Sequence, residues 1–522
     1  MKGFISLICV LLLCIAKGAQ AKTYDINNYG AEADGKTLNT FAIEKAVNAC
    51  TPGDTVLIPS GRYLTGTVHL KSNITVYLEK ESVLIGSTRL TDYEGNGSTG
   101  YHGIFYTTGA QNINIAGQGI IEGNSQAFLK PADLVAFTDT ALIRYTRQQG
   151  KYRSGLTPPA LIAPNNPQNI CSFIGCKRIS IRNISLLNAA GAAMCFVACD
   201  GVSVSGVTIE SPLKVVNVSG IVINGCKQVT IKGCGIRSGG DAILIHGFSE
   251  GPAQVVPSQN IAITNCALQS YSTAINITAL NQASVVGIKV SQVNIMPSGR
   301  GVGLLLRNAG SLENMNFNDL YIETKLGYGS WEVNGEPIHM SAVAGTDSAK
   351  LGVVNGITFN NVFCVSENQI LLYGSAQSMI KQVQFNDVVL QIKNSAYNNA
   401  MGGNVMLWGN ADKNARLFAG NIPAIAATYV TGLSLNNMKI SWPDSALPPY
   451  FTAGIRISNF KDVKIRRCLV KAASPGVNTH AIALLDGSMA IVDAGDVSRT
   501  RVQDNKPVKG GLNLANQKTV RQ

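Results

Sequence analysis

The stretch from Asn217 to His246 decides the fold. It reads Asn-Val-Ser-Gly-Ile-Val-Ile-Asn-Gly-Cys from Asn217 to Cys226. It continues as Lys-Gln-Val-Thr-Ile-Lys-Gly-Cys-Gly-Ile-Arg-Ser from Lys227 to Ser238, then Gly-Gly-Asp-Ala-Ile-Leu-Ile-His from Gly239 to His246. Apolar and polar residues alternate in short runs, and Gly, Asn or Ser punctuates each run. This is the pattern of short strands joined by tight corners, each coil too small to bury a core of its own. Asp241 stands at the mouth of the run Ala242–Ile245.

Outward from this stretch the same unit recurs. A four-residue pattern of corner residue, aliphatic, polar, apolar begins at Asn73, Asn112, Arg178, Gly201, Gln228 and Asn260. It begins again at Gly287, Asn314, Gly356, Gln382, Gly432 and Asp462. Between Arg178 and Asn314 successive copies lie about 23 to 32 residues apart, a solenoid period. Coils of short strands with inward aliphatics predict an all-β fold, a right-handed parallel β-helix. Ahead of the strands, Ile43, Ala46, Val47 and Cys50 fall on one face at helical spacing, and Asn39 or Thr40 is placed to cap them. This predicts one N-terminal helix covering the open end of the first coil.

The chain has 522 residues, 53 of them Gly, only 14% charged, with a formal charge of +12. Low charge with many Gly and β-branched residues excludes a disordered chain. The basic balance suits a polyanionic partner. The cations are dispersed and not interleaved with aromatics, which argues against nucleic acid. Residues 1–21 carry a basic start, an apolar run and Ala19-Gln20-Ala21, the marks of a signal peptide cleaved after Ala21. The expected location is therefore secreted or periplasmic, with no membrane span. Residues 22–522 are expected to form a single, monomeric domain. No metal-ligand spacing is present, and no cofactor is expected. The recurrent corner cysteines Cys176, Cys199, Cys226 and Cys266 read as a column of small buried thiols rather than a disulfide framework. Three gaps exceed the repeat, near 125–168, 324–352 and 395–429, and are expected to be loop insertions beside a binding face.

Tyr29–Thr37 with Asn39-Thr40, Val56–Gly61, Leu70–Asn73, Gly117–Gly123 and Glu210-Ser211-Pro212 together resemble glycoside hydrolase family 28, the polygalacturonase-like enzymes. The resemblance implies hydrolysis by inversion between carboxylates on neighbouring coils, without a metal. It also implies which residues should do it, and here the chain departs from the pattern. The family's Asn-Thr-Asp falls on Asn217-Val218-Ser219 and its Gly-Asp-Asp on Gly239-Gly240-Asp241. Its Gly-His-Gly falls on Ser272-Thr273-Ala274 and its carboxylate-binding Arg-Ile-Lys on Gly303-Leu304-Leu305. Of the catalytic carboxylates only Asp241 remains.

The expectation is a glycosidase on a pectic or other acidic or deoxy-sugar polysaccharide or oligosaccharide, with a site rebuilt around Asp241. His246 is a second candidate acid/base. Asn217, Tyr271, Arg307 and Trp331 are candidates for holding substrate. Glu332, Glu336 and His339 are possible sources of the missing group. A glycan-binding protein without catalysis, or a polysaccharide lyase using Tyr271 or Arg307, stays open.

Overall fold

The computed structural model describes residues 21–96, 100–131, 161–163, 166–167, 169–250, 254–326, 334–346, 348–398, 402–407, 417–419, 421–443, 450–470, 480–493, 496–497 and 509–514. Thirty-seven strands join one sheet running from Thr23–Asp25 to Lys509–Leu514. The sheet coils on itself as the expected right-handed parallel β-helix, laying strands on three faces in each turn.

One face matters most for function. Its strands include β1 (Ile221–Asn224), β2 (Ile243–His246), β3 (Thr273–Ala279), β4 (Arg300–Leu306), β5 (Ile338–Ala342) and β6 (Ile370–Tyr373). The first halves of two longer strands, β7 (Ile422–Asn436) and β8 (Phe451–Arg466), continue it before bending onto the next face. Neighbouring strands pair in parallel, Ile221 on Ile243, Ile243 on Ile275 and Val302 on Ile338. These residues stack inward as an aliphatic ladder with almost no exposure. Each such side chain stabilises the fold by roughly 1.5–3 kcal/mol relative to exposure. Because the strand period is two, the intervening residues, Val222, Leu244, Asn276, Gly303 and His339, face outward in register.

The corners explain the four-residue repeat. All twelve residues that open the pattern, from Asn73 to Asp462, have φ between 50° and 77°. Asn, Gly and Asp tolerate this left-handed conformation best, so the corner selects them. Arg178 and the two Gln corners are held there by the ladder on both sides. At one corner Asn318, Asn360, Asn386 and Asn436 form a ladder, the Nδ2 of each of the last three donating to the Oδ1 on the preceding coil at 2.7–2.8 Å. Inside it, the Phe359 ring stacks between Phe317 (4.6 Å) and Phe385 (5.1 Å). Phe359→Ala should therefore cost roughly 3–5 kcal/mol, read as a lower urea midpoint.

The helix α1 (Thr40–Ala49) buries Ala42, Ile43, Ala46 and Val47 against the first coil, as expected. Its capping differs. Asn39 makes no side-chain cap and instead ties the entry loop, its Oδ1 accepting from Glu32 N and its Nδ2 donating to Thr37 O. Thr40 Oγ1 accepts from Gly66 N. The ten described cysteines carry no disulfide, and most are buried at corners.

Two expected insertions are only partly insertions. Ile338–Ala342 and the first half of Ile422–Asn436 are regular strands of the functional face. The gap was measured between corner patterns, and neither Ile338–Ala342 nor the part of Ile422–Asn436 before Gly432 carries the pattern. Near the end of the chain, Lys509–Leu514 pairs in parallel with Ser488–Asp493. Among the described residues no helix is long and apolar enough to cross a membrane.

Candidate active site

Asp241 lies in the turn that leads into β2. Extending the pairings of β1 to β6 by two or three residues aligns Ser219, Asp241, Thr273, Arg300, Glu336 and Asn368 on six successive coils. The backbones of such neighbours lie about 4.8 Å apart.

Asp241 is partly exposed, and its carboxyl is firmly held. Oδ1 accepts from Thr273 N at 3.0 Å and Oδ2 from Asn276 Nδ2 at 2.7 Å. Burial pushes its pKa above the usual range, against the opposing pull of Asn276, Ser272 and Thr273 and of the Arg300 charge. The result is a carboxyl that keeps its proton to higher pH than a free one, the property of a general acid.

The turn beside it is closed. Gly240 N donates to Val218 O at 2.8 Å, and a Cβ on Gly240 would stand 2.9 Å from Val218 backbone atoms. A side chain at this position, where the family's other aspartate would fall, has no room. Asn217 is exposed in a left-handed conformation (φ 64°) on this neighbouring turn, with its backbone beside Gly240.

A buried polar cluster occupies the next coils. Glu336 Oε2 lies 3.4 Å from Arg300 Nε and accepts from Asn334 N at 3.0 Å. Glu336 Oε1 lies 3.3 Å from His339 Nδ1, and His339 Nε2 lies 3.1 Å from Ser341 Oγ. Arg307 completes the chain through Nη2 to Ser341 Oγ at 3.0 Å. Burial alone would raise Glu336, but Arg300 and then His339 outweigh it and hold the carboxyl at about 2. Burial, then Arg300, pushes His339 down to about 4, so its ring is neutral at pH 7. The partners then dictate the tautomer: Nδ1–H donates to the carboxylate and Nε2 accepts from the Ser341 hydroxyl. Burial and Arg300 likewise push Arg307 down to about 9.

The remaining expected residues fall in different places. His246 ends β2, five residues from Asp241, roughly 16 Å along an extended strand. Its Nδ1 faces Gly247 O at 3.3 Å and burial lowers its pKa. It cannot exchange a proton directly with Asp241. Tyr271 is partly exposed on the turn preceding Thr273, one coil from Asp241. Arg307 is 3% exposed and bonded to Leu306 O and Ser341. It is therefore part of the cluster rather than an open anion clamp. Trp331 and Glu332 lie outside the described residues.

Arg300 and Asn276 escaped sequence reasoning. The signal for Arg300 was its place two residues before Val302, matching Asp241 two residues before Ile243. Its stem crosses Gly303: a Cβ there would meet Arg300 Cδ at 3.4 Å. Arg300 thus occupies the side-chain space vacated at position 303. Several buried polar atoms here find no hydrogen-bond partner among the described residues, including Asn276 Oδ1, Thr278 Oγ1 and Arg307 Nε. Among the described residues no cluster of three or more His, Cys, Asp or Glu suits a metal.

The class that the structure itself defines is a parallel β-helix with an aspartate turn on one face, and comparison supplies the family. The family model for glycosyl hydrolases family 28 matches residues 50–404, and the chain belongs to that family. It is 24% identical over 328 residues to an exo-poly-alpha-D-galacturonosidase of Dickeya chrysanthemi, covering 56% of this chain and 53% of that one. It is 26% identical over 314 residues to polygalacturonase-2 of Solanum lycopersicum, covering 58% and 60% respectively. The chain thus spans little more than half the length of these relatives. Among solved structures, the family 28 exopolygalacturonase of Yersinia enterocolitica superposes with a TM-score of 0.59 at 18% identity, covering 86% of this chain and 79% of that one. An exopolygalacturonase from Thermotoga maritima gives 0.53 at 17% identity, covering 80% and 91%. At such identities the structural likeness concerns the fold.

Proposed function

We propose that this chain is an exported glycosidase acting on a pectic or other acidic polysaccharide, with Asp241 as the proton donor to the departing glycosidic oxygen. The observation that supports it is the carboxyl's setting: reachable, raised in pKa, and oriented by Asn276 and Thr273. Asn217 and Tyr271 flank it on the adjoining turns and are assigned to sugar hydroxyls and ring face. Arg300, lying over Gly303, supplies positive potential toward a uronate. Protonation of the bridging oxygen breaks the C–O bond to the anomeric carbon, and water adds to that carbon. The water's proton passes to solvent or to a base.

Glu336 is a poor base: it is 1% exposed, ion-paired, and three coils away, about 14 Å between backbones. One observation accordingly favours a second reading, glycan binding without turnover. The coils on either side of Asp241 place Ser219 and Thr273 where an inverting enzyme wants its second carboxylate, about 6.5–9.5 Å from the first.

A panel of pectic oligosaccharides, acidic and deoxy-sugar-containing, separates the two. New reducing ends from at least one of them are the expected result. Saturable binding with no product from any would establish the second reading. Absorbance from unsaturated products would replace hydrolysis by elimination.

A further inference from the structure

Four to six coils beyond Asp241, roughly 19–29 Å along the same face, a second pocket opens between β6, β7 and β8. It has a volume of about 120 Å³, lined among others by Gln369, Tyr373, Ala426, Thr428, Arg456 and Ser458. A water needs only about 10–15 Å³ of such space. The pocket therefore takes several waters, or a carboxyl group with part of a sugar ring.

Its chemistry is specific. Arg456 is partly buried, and burial lowers its pKa. Its guanidinium donates to Asn421 O (3.2 Å) and Thr452 Oγ1 (3.2 Å), both neutral, and no described carboxylate pairs with it. A partly desolvated cation with only neutral partners favours an anion. Gln369, on the pocket wall, is 2% exposed, and its Oε1 accepts no hydrogen bond from a described residue. Ser458 Oγ and Thr428 Oγ1 pair at 3.0 Å, and Tyr373, also partly exposed, offers a ring face beside them.

We propose that this pocket is a second saccharide site, which holds a carboxylate-bearing sugar unit against Arg456. It anchors a distant part of the chain whose scissile bond lies at Asp241. The sugar assignment rests on the proposed glycosidase reading; the anion assignment rests on Arg456 alone.

The test uses the full-length protein carrying Asp241→Asn, so that nothing turns over. Binding of a long oligogalacturonide, and of a neutral oligogalactoside of equal length, is measured by calorimetry. Adding Arg456→Gln should raise the Kd for the acidic oligomer roughly tenfold and leave that for the neutral one unchanged. Ala426→Phe, which fills the pocket from the strand position paired with Arg456, should do the same to the acidic oligomer, with melting curves confirming that both variants fold. Unchanged acidic binding in both folded variants would overturn the second site while leaving the Asp241 reading intact. No binding of any oligomer, even by the Asp241→Asn parent, would overturn both.

Discussion

Asp241→Asn should lower reducing-end release from a productive substrate by about 10²–10⁴-fold without unfolding the protein. The two halves of this expectation have separate causes. The amide cannot deliver the proton that the leaving oxygen needs. It can, however, occupy the carboxyl's place: Thr273 N keeps an acceptor, and a flip of the Asn276 amide turns its orphan Oδ1 toward the new Nδ2. The pH dependence follows in sign. Burial raises the pKa of Asp241 in the folded state. Its stabilising contribution is then complete below the unfolded value and is lost as pH rises through the folded one. Turnover should decline over that same alkaline limb, because the acid form disappears. The variant, always neutral, should melt no lower than the parent at neutral pH. Residual activity within tenfold of the parent, in a folded Asp241→Asn protein, would remove Asp241 from the chemistry.

Glu336→Gln should be the most destabilising polar substitution on this face, at about 3–5 kcal/mol. It removes the carboxylate beside Arg300, which is 4% exposed, and breaks the proton order running through His339 and Ser341 to Arg307. A lowered urea midpoint with an unchanged slope is the measurement. Acid gives an independent check. Glu336 is held at about 2 against an ordinary 4.5. The stability it supplies is present above the unfolded pKa and disappears as pH falls from about 4.5 toward 2, about 3 kcal/mol in all. His339, held at about 4 against 6.5, acts in the same direction at higher pH, since the unfolded ring binds its proton first. The Gln variant should lose the lower of these two limbs. Identical acid titrations of parent and variant would show that the ion pair carries no net stability.

The cluster has a bearing on the chemistry as well. Glu336 and His339 looked like replacements for lost catalytic groups when read as members of a polar loop. In the fold they sit on a regular coil, buried, with every proton committed to a neighbour. Their effect on Asp241 passes through the Arg300 charge, not through contact with substrate.

Much of the fold was legible because it is local. Each corner needs a residue that accepts positive φ, and each strand needs alternate aliphatics. Both requirements are written within a few residues, as at Asn260-Ile-Ala-Ile, and they recur coil after coil. Asp241 was legible for the same reason, being the survivor in a short turn. Its partners were not. Thr273, Asn276 and the Arg300 charge reach Asp241 only through backbone pairing between coils of unequal length. Neither the closure of Gly240 against Val218 nor the crossing of Gly303 by Arg300 exists until that pairing sets the register. The residues alone determined a β-helix with one exposed aspartate turn. Tertiary structure decided which charges meet there, because hydrogen-bond register between distant segments is a property of the stacked coils and of no single segment.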